Sequence, residues 1–182
     1  MGYVVDLHRP VSGDVVDLIL ADHRLFEELL RALRDSSSDR DEVRNALAMV
    51  LVAHAEAEEK FVYPKLRKRN AVGEHEAEHG EEEHAEGHEA LLKVLELKGT
   101  DTDAFTDAVE ELSGAISHHL AEEELTILNP AREEVGHRVR AELGQEFLTE
   151  RNRQIDAGCG SVENVRRLVA KARRDGQLDD DD

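Results

Sequence analysis

Histidines in this chain recur with a second ligand-type side chain four residues on, in successive segments that read as helices. His54 precedes Glu58, His84 precedes His88, and His119 precedes Glu123 and Glu124, while Asp22-His23 stands ahead of them all. Residues four apart on an α-helix lie one turn above each other on the same face. Each string therefore presents nitrogen, or nitrogen and oxygen, toward one point. Four helices doing this in turn describe an all-α bundle built around a metal centre.

The apolar pattern supports that reading. After Asp14, a helix N-cap, Val16, Ile19, His23, Phe26, Leu30 and Leu33 recur at three- and four-residue steps. A polar linker at Asp35–Asp39 separates this helix from a second, expected from about Asp41 to Pro64. Val43, Leu47, His54, Glu58 and Phe61 share one of its faces. The charged stretch from Lys65 to about Gly80 reads as a loop or the approach to a third helix. That helix is clearest from Glu81 to Lys98, where His84, His88 and Leu95 form one stripe. Gly99-Thr100-Asp101 ends it and caps a fourth, which carries Phe105, Val109, Leu112, Ile116 and His119 as far as Asn129-Pro130. A further helix is expected to about Ile155, and a short one capped by Ser161 to Arg174. The chain thus divides into a lead-in (1–13), a helical bundle with its following helix (14–155), and a short helix with an acidic tail (156–182). The string from His54 to Pro64 echoes the string from His119 to Pro130, with one extra residue in the second copy.

Composition bounds what such a bundle does. The 182 residues are 40% apolar but only 3% aromatic, without Trp, so the core is aliphatic. A formal net charge of -19 disfavours nucleic acid or an anionic membrane surface as partner. The single Cys159 excludes an internal disulfide and a thiolate zinc site, leaving at most a pairing between molecules. No apolar run approaches the ~18 residues of a membrane span. The N-terminus lacks a basic region followed by an apolar one, and the expected location is the cytoplasm.

A lone His-x-x-x-Glu pair on an acidic helix is commonly a solvent-facing contact. Here the pairs align with the apolar stripes, and burying carboxylates and imidazoles at one level of a core is costly without a compensating cation. Nitrogen with bridging carboxylate oxygen suits iron, manganese or zinc. Five imidazoles, two bridging carboxylates and one bridging oxygen would fill all but one position of two six-coordinate ions. The remaining position is open to a small ligand. On helix four the straight-helix partner of His119 is Glu123, whereas Glu124 needs a local bulge, and Glu124 lies as far from Pro130 as Glu58 lies from Pro64. Both registers stay open. His118 sits about 100° from His119 and reads as supporting or exposed. His75 and His79 form a rival His-x-x-x-His without a leucine stripe. Tyr63 reads as packing at a helix end, and Phe26, Phe61 and Ile116 as core that lines the open position.

The ordered set His23, His54-x-x-x-Glu58, His84-x-x-x-His88 and His119 with Glu123-Glu124 resembles the hemerythrin family in its bacterial HHE cation-binding form, from about Asp14 to Pro130. That resemblance implies an up-down-up-down four-helix bundle, here with additional C-terminal helices. It implies a non-haem diiron centre: two iron ions with a bridging oxygen ligand, held by His23, His54, Glu58, His84, His88, His119 and a helix-four glutamate. A ferritin-like site would instead need Glu-x-x-His on two separate helices, and helix four has none. The implied function is binding or reduction of a small oxidant (dioxygen, hydrogen peroxide or nitric oxide) in oxidative or nitrosative stress. Any catalysis would be peroxide-decomposing or another diiron oxidoreductase activity. The alternative is an iron- or oxygen-sensing regulatory module. No nucleophile or organic-substrate pocket is visible.

Overall fold

The computed structural model describes residues 5–179. Among them there is no strand, and the helices follow the apolar periodicity. α1 (Val15–Arg34) starts where the Asp14 carboxylate accepts the Val16 N–H at 3.0 Å. α2 (Arg40–Ala57) is capped in the same way by Asp39. It runs without interruption into a π-helical turn (Glu58–Val62) and then into α3 (Tyr63–Lys68). α4 is Glu74–Glu96 and α5 is Asp103–Glu123. A second π turn (Glu124–Leu128) leads into α6 (Asn129–Glu134). α7 (His137–Asp156) and α8 (Val162–Arg174, capped by Ser161) complete the order.

Three boundaries differ from the sequence expectation. The stretch expected as a loop from Lys65 to Gly80 is helical to Lys68 and again from Glu74, so His75 and His79 belong to α4. The leucine stripe begins only at Leu91, and the charged first turns of α4 hid its start. The prolines do not end their helices. The Tyr63 N–H reaches back five residues to the Glu58 carbonyl, and the Asn129 N–H does the same to Glu124. Each proline follows directly, at the start of a new α segment, where a missing N–H is tolerated. The break comes later, at Val135-Gly136, before α7. The cap of α5 is Thr102, which accepts the Phe105 N–H at 3.1 Å, rather than Asp101. The acidic end expected as a solvated tail lies outside the described residues except for exposed Asp179, and residues 1–4 of the lead-in likewise.

α1, α2, α4 and α5 pack as a four-helix bundle, each against its neighbours in the order α1–α2–α4–α5–α1. The core forms two apolar layers. One holds Leu25, Phe26, Leu29, Leu30 and Leu33 with Leu47, Val94 and Leu112; the other holds Val15, Val16, Leu18 and Ile19 with Val62, Leu66, Ile127 and Phe147. Between them lies a polar layer of His23, His54, Glu58, His84, His119 and Glu123, all buried. α7 lies along α1 and α2, and α8 along α4. At Gly144 of α7 a Cβ would meet the Gly13 carbonyl oxygen at 2.0 Å, so only glycine lets the lead-in cross there. Buried Cys159 donates its thiol to the Met49 carbonyl at 3.3 Å, which leaves it poorly placed for pairing between molecules.

Candidate metal centre

The polar layer is built from the helical repeat. His54 and Glu58, one turn apart, bring Nε2 and Oε1 to 3.1 Å. The other Glu58 oxygen lies 3.1 Å from His84 Nε2 on α4. Glu58 therefore turns one oxygen to each side of the layer. Glu123 Oε2 lies 3.0 Å from His23 Nε2 and 3.6 Å from His119 Nε2. Two sets of potential ligands result, His23, His54, Glu58 and Glu123 on one side and Glu58, His84 and His119 on the other, each with ligand atoms within 4.8 Å of one another. Glu58 is common to both. His88, a turn beyond His84, falls outside these two sets, but its Nε2 is buried without a partner and it shares a cavity with His84 and His119.

On helix four the two glutamates take different places. Glu123 is fully buried in the layer, whereas the Glu124 side chain is 47% exposed and meets His23 only at Nδ1, 3.0 Å away. The π turn follows Glu123 and does not lie between it and His119. The extra residue of the second copy is thus spent before the π turn, which begins at Glu58 in one copy and at Glu124 in the other.

Supporting carboxylates close a ring around the bundle. Asp22 of α1 binds His54 Nδ1 of α2 at 3.0 Å, and Glu59 after α2 binds His84 Nδ1 of α4 at 2.8 Å. Glu83 of α4 binds His119 Nδ1 of α5 at 2.9 Å, and Glu124 after α5 binds His23 Nδ1 of α1 at 3.0 Å. Each helix orients a histidine of the next. An Nδ1–H donated to a carboxylate leaves Nε2 as the ligating atom and fixes the ring. Sequence reasoning missed Glu59 and Glu83 and gave Asp22 no role. A signal for them exists: every supporting carboxylate is the immediate chain neighbour of a residue in the layer. One residue turns 100° around a helix, so the neighbour faces the adjacent helix.

Tyr63 also has a larger part than packing at a helix end. Its phenol donates to Glu123 at 2.7 Å and lies 3.4 Å from Glu58, touching both central carboxylates, and its ring stacks on His84. Gly80 makes room for it, since a Cβ there would sit 3.1 Å from the phenol oxygen. Phe61 is only half-buried and lies outside the cavity beside the layer, whereas Phe26 and Ile116 line that cavity. His118 is exposed and touches Glu83.

The layer fits a metal centre by its orphaned atoms. Nε2 of His23, His54, His84, His88 and His119, with Glu58 Oε1 and Glu123 Oε2, are buried without a hydrogen-bond partner. One such atom costs about 1–3 kcal/mol, and metal cations in the layer are the kind of partner such atoms lack. In the metal-free protein the groups lean on each other. Burial disfavours charge on His23, His54, Glu58, His84 and His88. Against that, the Glu58 carboxylate and the Asp22 hydrogen bond raise His54 to about 10. The adjacent Glu58 carboxylate and the Glu59 hydrogen bond raise His84 well above the usual imidazole range. Glu58 between them is held well below the usual carboxylate range. Burial and the neighbouring His84 push His88 down to about 4.

A raised histidine stabilises the metal-free fold fully below its unfolded pKa of about 6.5; that contribution is lost as pH rises through the folded value. A metal must expel the same protons. Loading at pH 7 is therefore expected to release protons from both His54 and His84, and affinity to climb between pH 6.5 and about 10. Calorimetry in buffers of different ionisation enthalpy reads the release. Binding without proton release and without pH dependence would contradict these charge states.

Beside the layer, Phe26, Leu51, Ile116 and Leu120 wall a cavity reached by His54, His84, His88 and His119. It offers about 20 Å³ to the centre of a water-sized molecule, room for roughly one water or a diatomic.

Comparison with known proteins agrees with the geometry. The family described as the hemerythrin HHE cation binding domain matches residues 14–130. A curated relative, a DNA nickase of Nostoc sp. (strain PCC 7120 / SAG 25.82 / UTEX 2576), is 25% identical over 137 residues. The match covers 74% of this chain but only 38% of that protein. No solved structure matches the chain.

Proposed function

The chain belongs to the hemerythrin HHE cation-binding family, and from that premise we propose that its buried layer holds two iron ions for the binding or reduction of a small oxidant. The observation that carries this reading is Glu58, a fully buried carboxylate with one oxygen toward each of two histidine sets. His23 and His54 would hold one ion, and His84, His88 and His119 the other. Glu58 and Glu123 would bridge them. Iron there would supply the electrons for reducing dioxygen, hydrogen peroxide or nitric oxide. Around it the chain provides orientation and access. The ring of carboxylates fixes every imidazole but His88. Burial together with the charges of Glu123 and Glu58 raises Tyr63 well above the usual phenol range, so its hydroxyl keeps its proton and its hydrogen bond to Glu123. The apolar cavity admits a molecule of very few atoms and disfavours water. We assign the protein to oxidant handling in the cytoplasm.

The experiment is anaerobic loading with Fe(II), metal analysis, and the visible spectrum as air is admitted and then removed. Two irons per chain with a band that appears and fades reversibly are expected of a carrier or sensor. Rapid irreversible oxidation without that band is expected of a redox catalyst. An iron content below two, or a spectrum indifferent to air, would sink the proposal.

A regulatory reading has one observation in its favour. Arg151 of α7, outside the family-matched segment, binds Asp22 with two nitrogens at 2.8 Å, and Asp22 holds His54. A change at the metal layer is thereby linked to a helix beyond the bundle. DNA nicking is the relative's activity, and the charge of -19 gives no support for extending it here.

A further inference from the structure

A third group of ligand-type side chains lies outside the central layer, on the rim between α4 and α5. His79 and Glu83 are one turn apart on α4, and His118 faces them from α5. Glu83 Oε1 lies 3.2 Å from His118 Nε2 and 3.5 Å from His79 Nε2, and the three ligating atoms fall within 4.8 Å of one another. The two imidazoles are accessible, with side chains 46% and 61% exposed. The Glu83 side chain is only 3% exposed, and its Oε1 is buried without a hydrogen-bond partner. A carboxylate oxygen left unsatisfied and aimed at two surface histidines is not what a solvated acidic face produces.

We propose that His79, Glu83 and His118 form a second metal site, separate from the central layer, for a divalent transition ion such as Zn²⁺. Two imidazole nitrogens and one carboxylate oxygen are a three-ligand set that zinc accepts, with water in the remaining position. Calcium and magnesium, which prefer all-oxygen shells, fit poorly. The His79 ring has further support, since its Nδ1 lies 3.7 Å from Glu82 and it stacks on His75 at 6.2 Å. The same Glu83 also accepts His119 Nδ1 on its other oxygen. One carboxylate thus spans the outer set and the central layer, and an ion on the rim would sit against a support of the inner one. The competing account is a pair of imidazolium–carboxylate contacts with no ion.

The test is Zn²⁺ bound per chain at equilibrium dialysis for the full-length protein and its H79A/H118A variant. Both side chains are exposed, and the variant is expected to keep its helices, which circular dichroism checks. The variant is expected to hold one Zn²⁺ fewer than the parent. In the parent, Zn²⁺ is expected to protect His79 and His118 from modification by diethyl pyrocarbonate. Equal zinc content in the two proteins, or no protection, overturns the proposal. The difference between parent and variant is independent of how many ions the central layer takes, so failure of the central assignment leaves this measurement readable.

Discussion

Glu58→Gln is expected to lower the affinity for both central ions together, by at least ~100-fold. Changes in residues that merely orient ligands typically cost 10–100-fold, and Glu58 faces both histidine sets directly. The amide keeps the shape of the side chain but removes its charge and one of its two ligating oxygens, so it cannot serve both sides. The metal-free variant is also less stable at neutral pH, because the carboxylate that favours protonated His54 and His84 is gone. Glu58→Asp keeps the charge on a shorter arm and is expected to fall between parent and amide. Iron analysis after dialysis against a weak chelator decides the matter. An amide variant that keeps two irons would show that Glu58 is not shared, and the two sets would then be independent sites.

Arg151→Met is expected to destabilise the fold by about 3–5 kcal/mol, the usual cost of stripping one partner from a buried ion pair. Arg151 is 1% exposed, and its removal leaves the buried Asp22, 5% exposed, with His54 as its remaining partner. Asp22 stays below the usual carboxylate range because the His54 and Arg151 contacts outweigh burial. The guanidinium also donates to the Leu7 and His8 carbonyls, so the lead-in loses one of its ties, beside those of Val5 to Glu42 and Arg9 to Asp156. Denaturant unfolding measures the loss. Asp22→Asn combined with Arg151→Met removes both charges and is expected to recover part of it. If the single variant is as stable as the parent, the pair contributes nothing. The same variant bears on the regulatory reading. Iron binding is expected to protect α7 from limited proteolysis in the parent and not in Arg151→Met, and equal protection would separate α7 from the centre.

The bundle was legible because helical geometry converts a four-residue spacing into a shared face, so His54 with Glu58 and His119 with Glu123 announced their convergence. The choice between Glu123 and Glu124 was not legible. Counting back from the proline favours one and counting forward from the histidine favours the other, and only the position of the π turn decides. The start of α4 was obscured because its first turns carry glutamate and histidine where an apolar stripe was sought. Glu59 and Glu83 escaped because their partners lie on the next helix, and local spacing encodes only contacts within one helix. Arg151 lies 129 residues from Asp22, a separation at which a surface arginine and a buried one read alike.

The reach of Arg151 bears on the order in which the molecule is made. A chain synthesised from its N-terminus has every side chain of the central layer in hand once Glu123 has emerged. At that moment Asp22 has His54 but still lacks Arg151, and the lead-in carbonyls of Leu7 and His8 still lack their donor. The last piece of support for His54 arrives only with α7. A nascent chain ending near Pro130 would own the donors of the layer but not the Arg151 brace behind His54.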